Sequence, residues 1–452
     1  MKVRTVYICQ NCGATSARWS GRCPFCGEWG TFVEERREVP SASQGDSDST
    51  ELVQPLPLSL IVSQSVERLP TGIRELDRVI GGGFVPGTLV LLAGDPGVGK
   101  STLLLQVCAH LVEQHPLYVS GEESLEQLRL RAERLIPSPS TTEALSETEL
   151  ERIEAALARS PATLVVLDSV QTVYSSALES PPGSVTQVRE VASRLQRLAK
   201  RTGKIIILVG HVTKEGLIAG PKVLEHVVDV VLQLEGEVGY PYRVLRALKN
   251  RFGPTHELGF FEMTTEGLRE LPNPSELFLS DGTAGQSGVA IAAVLEGTRP
   301  LLVEVQALVT PTHYAVPQRN ITGYDYRRLQ MIVAILERRL GIPLRQYDLF
   351  ANVVGGLRLS DPAGDAALAL AIVSSYRDQP LSPGTAIFGE LGLTGELRPV
   401  RMPEVRIREV QRIGFRRVIL PATTARALQA ATTDIELIPV DRLSVALVRL
   451  FT

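Results

Sequence analysis

The sequence lacks a long apolar run, and it lacks a strong excess of either charge. No apolar segment approaches the roughly 18–20 residues that a membrane-spanning helix needs. The basic start at residues 1–5 is not followed by the apolar core of a secretory signal. The net charge of −3 excludes a polycation, so any contact with nucleic acid must come from local basic patches. We therefore expect a cytoplasmic protein that does not engage membranes.

Cysteine is also scarce, since the chain has only five, and four of them cluster near its start. They form two pairs, Cys9-x-x-Cys12 and Cys23-x-x-Cys26. Paired thiolates at this spacing predict a tetrahedral Zn²⁺ site, and four protein ligands leave no open position, so the metal should be structural. The alternative of two disulfides is disfavoured in a reducing cytoplasm. The fifth cysteine, Cys108, is expected in an apolar core.

Composition divides the chain of 452 residues into several segments. Residues 1–33 form the predicted zinc ribbon. Residues 34–64 are rich in Ser, Pro, Asp and Glu, a composition typical of a linker. Apolar strands alternate with helical patterns over residues 65–270, which predicts an α/β domain with a parallel sheet. Residues 271–452 change to paired strands and two long helices, which predicts a separate α+β domain.

A complete phosphate-loop motif, G-x-x-x-x-G-K-S, lies in the α/β region between an apolar run at 89–93 and a helical pattern at 102–113. A glycine-rich turn between strand and helix lets backbone N–H groups and the positive helix end hold a phosphate. Lys100 is expected to reach the β- and γ-phosphates, and the Ser101 hydroxyl to ligate Mg²⁺. ATP and Mg²⁺ are thus the predicted cofactors. The residues expected to bind the nucleotide are Gly94, Asp95, Pro96, Gly97, Val98, Gly99, Lys100, Ser101 and Thr102.

Polar residues follow three further apolar strands. The run at 164–168 ends in Asp168, the Walker B position, which orients the water shell of Mg²⁺. Glu122 and Glu123 follow the run at 117–120, and a carboxylate there can polarise the attacking water. We prefer Glu122 as the base, with Glu123 as the alternative. The two acids could also be a solvent-exposed pair without a catalytic role. His211 ends another strand, where it is either a sensor of the γ-phosphate or a structural histidine.

The block Lys249-Asn250-Arg251-Phe252-Gly253 comes next. The cysteine ribbon, the phosphate loop, this KNRFG block and the C-terminal domain occur in the order found in the RadA (Sms) family of bacterial DNA repair proteins, which the whole chain resembles. The resemblance implies a zinc ribbon, a RecA-like ATPase domain and a Lon-protease-like C-terminal domain. It also implies that Lys249 and Arg251 act as arginine-finger-type cations on the nucleotide of an adjacent subunit.

The C-terminal domain departs from the Lon proteases that it resembles. Those enzymes carry a catalytic serine in a Gly-Pro-Ser-Ala-Gly stretch and a lysine further along the chain. Here the matching stretch is 361–365, with Ala363 at the serine position and Glu404 at the lysine position. Alanine has no nucleophilic group, and glutamate cannot take the part of the lysine. We expect a domain without protease activity that serves assembly and DNA binding.

The family resemblance implies a DNA-dependent ATPase that forms a hexameric ring. Such a motor or helicase would promote branch migration of recombination intermediates together with RecA. The expected partners are single-stranded and branched DNA, RecA and further copies of the chain. An ATP-dependent protease and an ATP-regulated signalling or scaffold ring are the alternative functions.

Three regions are the expected DNA contacts. RecA-like proteins bind DNA through two axial loops, which correspond here to residues 175–187 and 213–222. The ribbon adds Arg18, Trp19 and Arg22, which combine charge with a surface for base stacking. Docking of the ribbon to a protein explains these three residues almost as well.

Overall fold

The computed structural model describes residues 2–9, 14–39, 67–135, 142–211, 221–236, 240, 242–280, 282–283, 285–428 and 435–451, with only the backbone described at 2–5, 35–39 and 221–223. The chain divides into two compact units. The first unit comprises residues 1–236 and 241–271, and the second comprises residues 237–240 and 272–452.

The first unit opens with a small antiparallel sheet. Its strands are β1 (Lys2–Cys9), β2 (Thr15–Ser16) and β3 (Phe32–Val39), in the order β2-β1-β3. Strand β3 pairs with β1 along its full length, from Cys9 opposite Phe32 to Lys2 opposite Val39. It therefore runs past residue 33, where the sequence placed the start of the linker. The composition was misleading because the ladder is built from backbone hydrogen bonds, which charged residues form as well as apolar ones.

The rest of the first unit is an α/β domain built on a sheet of nine strands among the described residues. Its strands are β4 (Leu89–Gly94), β5 (Leu117–Ser120), β6 (Glu143–Ser146), β7 (Leu164–Asp168), β8 (Ile205–His211), β9 (Val230–Glu235), β10 (Tyr242–Asn250), β11 (Leu258–Thr264) and β12 (Gly267–Glu270). Its helices are α1 (Arg74–Ile80), α2 (Lys100–His110), α3 (Leu125–Leu135), α4 (Leu150–Arg159), α5 (Val185–Thr202) and α6 (Pro221–Val227).

The spatial order of this sheet is β12-β11-β10-β9-β4-β8-β7-β5-β6. The six strands from β9 to β6 are parallel, and β10, β11 and β12 extend the sheet as an antiparallel meander. Alternate residues of the parallel strands β9, β4, β8, β7 and β5 enter two separate cores, as Val90 and Leu92 do on one face and Leu89 and Leu91 on the other. Burial of both faces explains why these strands are continuous apolar runs in the sequence. Cys108 lies fully buried in the first of these cores, as expected, and burial raises the pKa of its thiol to about 12.

The second unit has its own mixed sheet, in the order β15-β16-β14-β13-β17-β20-β21. Its strands are β13 (Val289–Glu296), β14 (Arg299–Pro311), β15 (Arg319–Thr322), β16 (Tyr347–Val353), β17 (Thr385–Ile387), β20 (Arg417–Pro421) and β21 (Glu436–Val440), and β18 (Glu390–Leu391) and β19 (Leu397–Arg398) form a separate ribbon. Its helices are α7 (Tyr326–Leu340), α8 (Asp365–Arg377), α9 (Pro403–Arg412), α10 (Ala422–Leu428) and α11 (Leu443–Leu450). In helix α7 the Asp325 side chain caps the first turn, and Gly341 ends the helix in a left-handed conformation.

Candidate functional site

The order of the parallel strands creates the candidate site. Strand β8 lies between β4 and β7, and β5 lies on the far side of β7. The register places His211 opposite Gly94, and Asp168 opposite Ser120. The carboxyl ends of these four strands therefore meet at one edge of the sheet, which is where open α/β sheets bind ligands. The sequence motifs at 94–101, 121–123, 168 and 211 all lie at this edge.

The phosphate loop occupies the end of β4. A Cβ atom on Gly94 would lie 2.3 Å from the carbonyl oxygen of Leu234, so only glycine fits there. Gly97 adopts a φ of +78°, in the left-handed region that glycine favours. Helix α2 begins at Lys100, two residues before the predicted start, with Gly99 as its N-cap. The N–H groups of the first turn of α2 are thus available to an anion held in the loop.

Lys100 is buried within the loop, with 4% of its surface exposed. Its ammonium group donates to the carbonyl oxygens of Gly94 and Asp95, both at 2.9 Å, and lies 3.3 Å from Nδ1 of His211. Burial lowers the pKa of Lys100, and the carboxylates of Asp168, Asp95 and Glu122 oppose that shift. The lysine is therefore a cation surrounded by compensating acids, which suits a group that holds a polyphosphate.

His211 connects Lys100 to Glu122. Its Nε2 lies 3.3 Å from Oε1 of Glu122, and the Ser169 hydroxyl donates to the same carboxylate oxygen. An ammonium group can only donate, so Nδ1 accepts from Lys100 and Nε2 carries the hydrogen that points to Glu122. The site residues are thus joined in one hydrogen-bonded series across three strand ends.

The two acids that the sequence left as alternatives have different surroundings. Glu122 lies beside His211 and Ser169, whereas Glu123 forms an ion pair with Arg131 of α3. The structure therefore places the side chain of Glu122, and not that of Glu123, in the hydrogen-bonded series that includes Lys100. A side chain that is half exposed and next to the phosphate loop is suitably placed to polarise a water molecule.

Asp168 has a partner that sequence reasoning missed. The hydroxyl of Tyr118, on β5, donates to Oδ2 of Asp168 at 2.5 Å. The same hydroxyl also interacts with the side chain of Ser101. Tyr118 gave no signal in the sequence because it occupies an ordinary apolar position in a core strand. Oxygen atoms of Ser101 and Asp168 are the hard ligands that Mg²⁺ prefers, so this set fits a magnesium–nucleotide complex.

The KNRFG block lies at the opposite edge of the sheet from the phosphate loop. In the register, Asn250 faces Val230, and Val230 also faces Val90 near the start of β4. Gly94 pairs with Leu234, four positions further along β9, which corresponds to about 13 Å at 3.3 Å per residue. The block therefore does not reach the phosphate loop of its own chain.

Both cations of that block have partners within the chain. The Lys249 ammonium group donates to the carbonyl oxygens of Glu225, at 2.5 Å, and Val228, at 2.8 Å, at the end of α6. Burial, and then the charge of Arg251, lower the pKa of Lys249. Arg251 forms an ion pair with the buried Asp229 at 2.9 Å and remains about half exposed. The expected contact with a neighbouring nucleotide thus requires these cations to exchange partners or to reach past them.

Three of the four predicted zinc ligands converge. The Sγ atoms of Cys9, Cys23 and Cys26 lie within 4.8 Å of one another, and Cys9 and Cys26 are 3.7 Å apart. Tetrahedral Zn–S bonds of about 2.3 Å would place two sulfurs roughly 3.8 Å apart. Cys12 lies outside the described residues. The donor set and its spacing fit zinc, and a separation of 3.7 Å is too long for a disulfide.

The ribbon exposes three aromatic side chains, Trp19 (61%), Phe25 (75%) and Trp29 (73%). The guanidinium of Arg22 lies over Trp29, 5.9 Å from the ring centroid, and its Nε donates to the carbonyl of Gly27. We name Trp19, Phe25 and Trp29, with Arg18 and Arg22, the ribbon aromatic surface. Exposed indoles beside arginines can stack with bases while the cations meet phosphates.

The structure describes all of the first predicted DNA loop but little of the second. In the first, Gln187 donates to the carbonyl oxygens of Ser175, Leu178 and Ser180, and the Ser175 hydroxyl donates to Glu151. This loop is therefore fixed by its own hydrogen bonds. Residues 212–220, which contain most of the second loop, lie outside the described residues.

The protease positions of the second unit do not form a dyad. Ala363 is fully buried, and Glu404 is exposed on α9. The neighbouring Asp361 is instead paired at 2.7 Å with Arg406, whose side chain is buried. This arrangement offers no nucleophile to a substrate.

Comparison with known proteins supports this architecture. A family model described as "Rubredoxin metal binding domain" matches residues 7–34, and one described as "AAA domain" matches residues 55–217. The DNA repair protein RadA of Bacillus subtilis is 49% identical over 426 residues, covering 93% of this chain and 93% of that protein. RadA of Pseudomonas aeruginosa is 46% identical over 454 residues, covering 100% of this chain and 99% of that protein. The chain belongs to the RadA family of DNA repair proteins.

Membership of the RadA family confirms the predicted family and the two-part N-terminal architecture. The chain has a zinc ribbon and a RecA-like ATPase core with a parallel sheet. Among solved structures, a KaiC-like protein from Pyrococcus horikoshii is similar to 46% of this chain and matches over 100% of its own length, at 23% identity and a TM-score of 0.39. Among the described residues, no helix is long and apolar enough to span a membrane.

Proposed function

We propose that this RadA-family protein is a DNA-dependent ATPase that works as a hexameric ring motor, or helicase, on recombination intermediates. Its partners would be single-stranded and branched DNA and the recombinase RecA, with which it would promote branch migration in the cytoplasm. The observation that carries the proposal is the position of the KNRFG block. It lies at the sheet edge opposite its own phosphate loop, so a nucleotide that these cations contact would belong to another subunit.

Within one subunit, the residues at the loop edge would share the work of binding and hydrolysis. Residues 94–102 would hold the nucleotide, with the Lys100 ammonium group against its β- and γ-phosphates. Ser101 and Asp168 would hold Mg²⁺, which supplies neutralisation of the developing phosphate charge when bound. Glu122 would polarise the attacking water, and His211 would sense the γ-phosphate through its contacts with Lys100 and Glu122.

Across the subunit interface, Lys249 and Arg251 would supply positive charge to the transition state. Within the chain they contact carbonyl oxygens and Asp229. Phosphate oxygens of the nucleotide on a neighbouring subunit would replace these partners. A cation provided in trans contributes roughly 10³–10⁵ in rate in well-characterised phosphoryl-transfer enzymes. Hydrolysis would then depend on how adjacent subunits are arranged, which is the coupling a motor requires.

DNA contact is proposed for the ribbon aromatic surface and for the loops at 175–187 and 213–222.

We propose structural zinc on Cys9, Cys12, Cys23 and Cys26, which would hold the ribbon in shape. We propose that the chain divides into a ribbon at 1–33, a linker at 34–64, an ATPase domain at 65–270 and a Lon-protease-like domain at 271–452. One of these bounds needs adjustment. Strand β3 extends the ribbon to Val39. The last domain would be an inactive protease fold used for assembly and DNA binding, since Ala363 and Glu404 occupy the catalytic positions.

A stimulated ATPase assay tests the proposal. Hydrolysis would be measured with no DNA, with single-stranded DNA, with duplex DNA and with forked DNA, alongside the Lys100→Ala variant. We expect stimulation by single-stranded or forked DNA, and loss of hydrolysis in the variant. Equal rates with and without every DNA, together with transfer of labelled phosphate from ATP to the protein, would favour a signalling ring instead.

A further inference from the structure

The hydroxyl of Tyr118 lies between two residues that the proposed function assigns to Mg²⁺. It donates to Oδ2 of Asp168 at 2.5 Å, and it also interacts with the side chain of Ser101. Tyr118 lies on β5, Ser101 on α2 and Asp168 on β7, so the contact joins three separate elements. The hydroxyl thus connects the phosphate loop to the Walker B strand.

Packing alone does not account for a tyrosine at this position. The ring is 1% exposed and belongs to the same apolar core as Leu103, Leu104 and Val166. A phenylalanine would fill that space equally well, and a buried hydroxyl costs free energy unless it is hydrogen bonded.

The hydrogen-bond inventory of the three groups determines the direction of each bond. Asp168 as a carboxylate only accepts, so the phenol hydrogen points to its Oδ2. The phenol oxygen is then left as the acceptor for the hydrogen of Ser101. A serine hydroxyl whose hydrogen is engaged in this way keeps both lone pairs free to ligate a cation. Among the described residues, Oδ1 of Asp168 has no hydrogen-bond donor, so it can accept from a metal-bound water.

We propose that Tyr118 is a positioning residue for the magnesium site, acting through Ser101 and Asp168. The inference rests on the proposed nucleotide function. Partners of this kind orient metal ligands, and their loss typically costs 10–100-fold in metal affinity. Tyr118 would not touch the nucleotide itself, so its effect should appear in the metal dependence of nucleotide binding.

The test is Tyr118→Phe in the full-length protein, with binding of a fluorescent ATP analogue measured over a Mg²⁺ series and in EDTA. We expect the Mg²⁺ concentration for half-maximal binding to rise about tenfold or more, with metal-free binding unchanged. Tyr324→Phe is the matched control, because Tyr324 is a partly buried tyrosine that also donates to an aspartate, Asp365, at 2.5 Å in the second unit. The control should lose stability in a thermal melt without any change in the Mg²⁺ midpoint.

The outcomes separate this inference from the proposed function. If the wild-type protein binds no magnesium–nucleotide, the proposed function fails. If the wild type binds it and Tyr118→Phe has the same Mg²⁺ midpoint, only the positioning role fails. Should Tyr118→Phe not fold, 3-fluorotyrosine would be placed at position 118 and its ¹⁹F resonance followed. The resonance should move when Mg²⁺ is added to nucleotide-bound protein, and a resonance that stays fixed overturns the inference.

Discussion

The ammonium nitrogen of Lys100 lies 3.3 Å from Nδ1 of His211. Strand β8, which carries His211, lies directly beside the phosphate-loop strand β4, so this contact follows from the order of the sheet. The second ring nitrogen of His211 faces Glu122. The histidine therefore lies between the proposed phosphate-binding cation and the proposed base, two residues before the predicted second DNA loop in the sequence.

We predict that His211→Ala weakens the stimulation of ATP hydrolysis by DNA. Loss of hydrogen bonds to two charged groups should lower the stimulated rate at least about tenfold, because such bonds contribute roughly 1.5–3 kcal/mol each. The measurement is the ATPase rate with and without single-stranded DNA. His313→Ala, at an exposed position of the second unit, is the control and should behave as wild type. Normal stimulation in His211→Ala would show that His211 is structural.

Glu122→Gln and Glu123→Gln should separate the two acids. We expect Glu122→Gln to lower single-turnover hydrolysis by about 10²–10⁴ while magnesium–ATP still binds, because a positioned base contributes in that range. Glu123→Gln should change the rate little, since it loses only a partly exposed ion pair with Arg131, typically worth under about 1 kcal/mol. A larger defect in Glu123→Gln than in Glu122→Gln would reverse the assignment.

Mixed subunits should reveal whether Lys249 and Arg251 act in trans. Lys100→Ala and Lys249→Ala should each be inactive alone, since one lacks the phosphate-loop cation and the other the finger. When equal amounts are mixed, about a quarter of the interfaces would join an intact loop to an intact finger, because ring interfaces are head-to-tail. ATPase activity should therefore return to roughly a quarter of the wild-type value.

The control for that mixture pairs Lys249→Ala with Arg251→Ala. Both variants have intact phosphate loops and damaged fingers, so no interface in this mixture would be complete. Activity that returns here, or fails to return in the first mixture, contradicts the proposal that the cations act across the interface.

The zinc site should contain one metal ion for each chain. Cys23→Ser should release zinc, measured by atomic emission, and should unfold the ribbon, because a module this small lacks a core large enough to fold without metal. Cys108→Ala is the matched control, since that cysteine is buried in the ATPase core far from the motif in sequence. A Cys23→Ser protein that retains stoichiometric zinc would contradict the predicted ligand set.

Restoring the protease residues should not restore proteolysis. We predict that the Ala363→Ser and Glu404→Lys double variant degrades casein no faster than wild type, and that both rates equal that of buffer. The reason is that position 363 is fully buried, so a serine hydroxyl there would not be accessible to a substrate, while position 404 is exposed. Peptide release by the double variant would show that the second unit retains a working protease site.

The sequence by itself determined the chemical groups of this protein. The phosphate loop, the cysteine pairs and Asp168 are recognisable because each motif is local. Its residues are neighbours in the chain, and the strand or helix that holds them has a strong apolar pattern. The same local character made the bounds of α2 and β4 nearly correct, whereas the charged strand β3 was taken for a linker beyond residue 33.

Only the tertiary structure decided how those groups are combined. The spatial order of β4, β8, β7 and β5 differs from their order in the chain, and it brings His211 beside Lys100 and Tyr118 beside Asp168. It also gave Glu122 and Glu123 different side-chain partners. It placed the KNRFG block at the edge of the sheet opposite to the phosphate loop. Strand order arises from the packing of two buried faces over the whole domain, which no local pattern encodes.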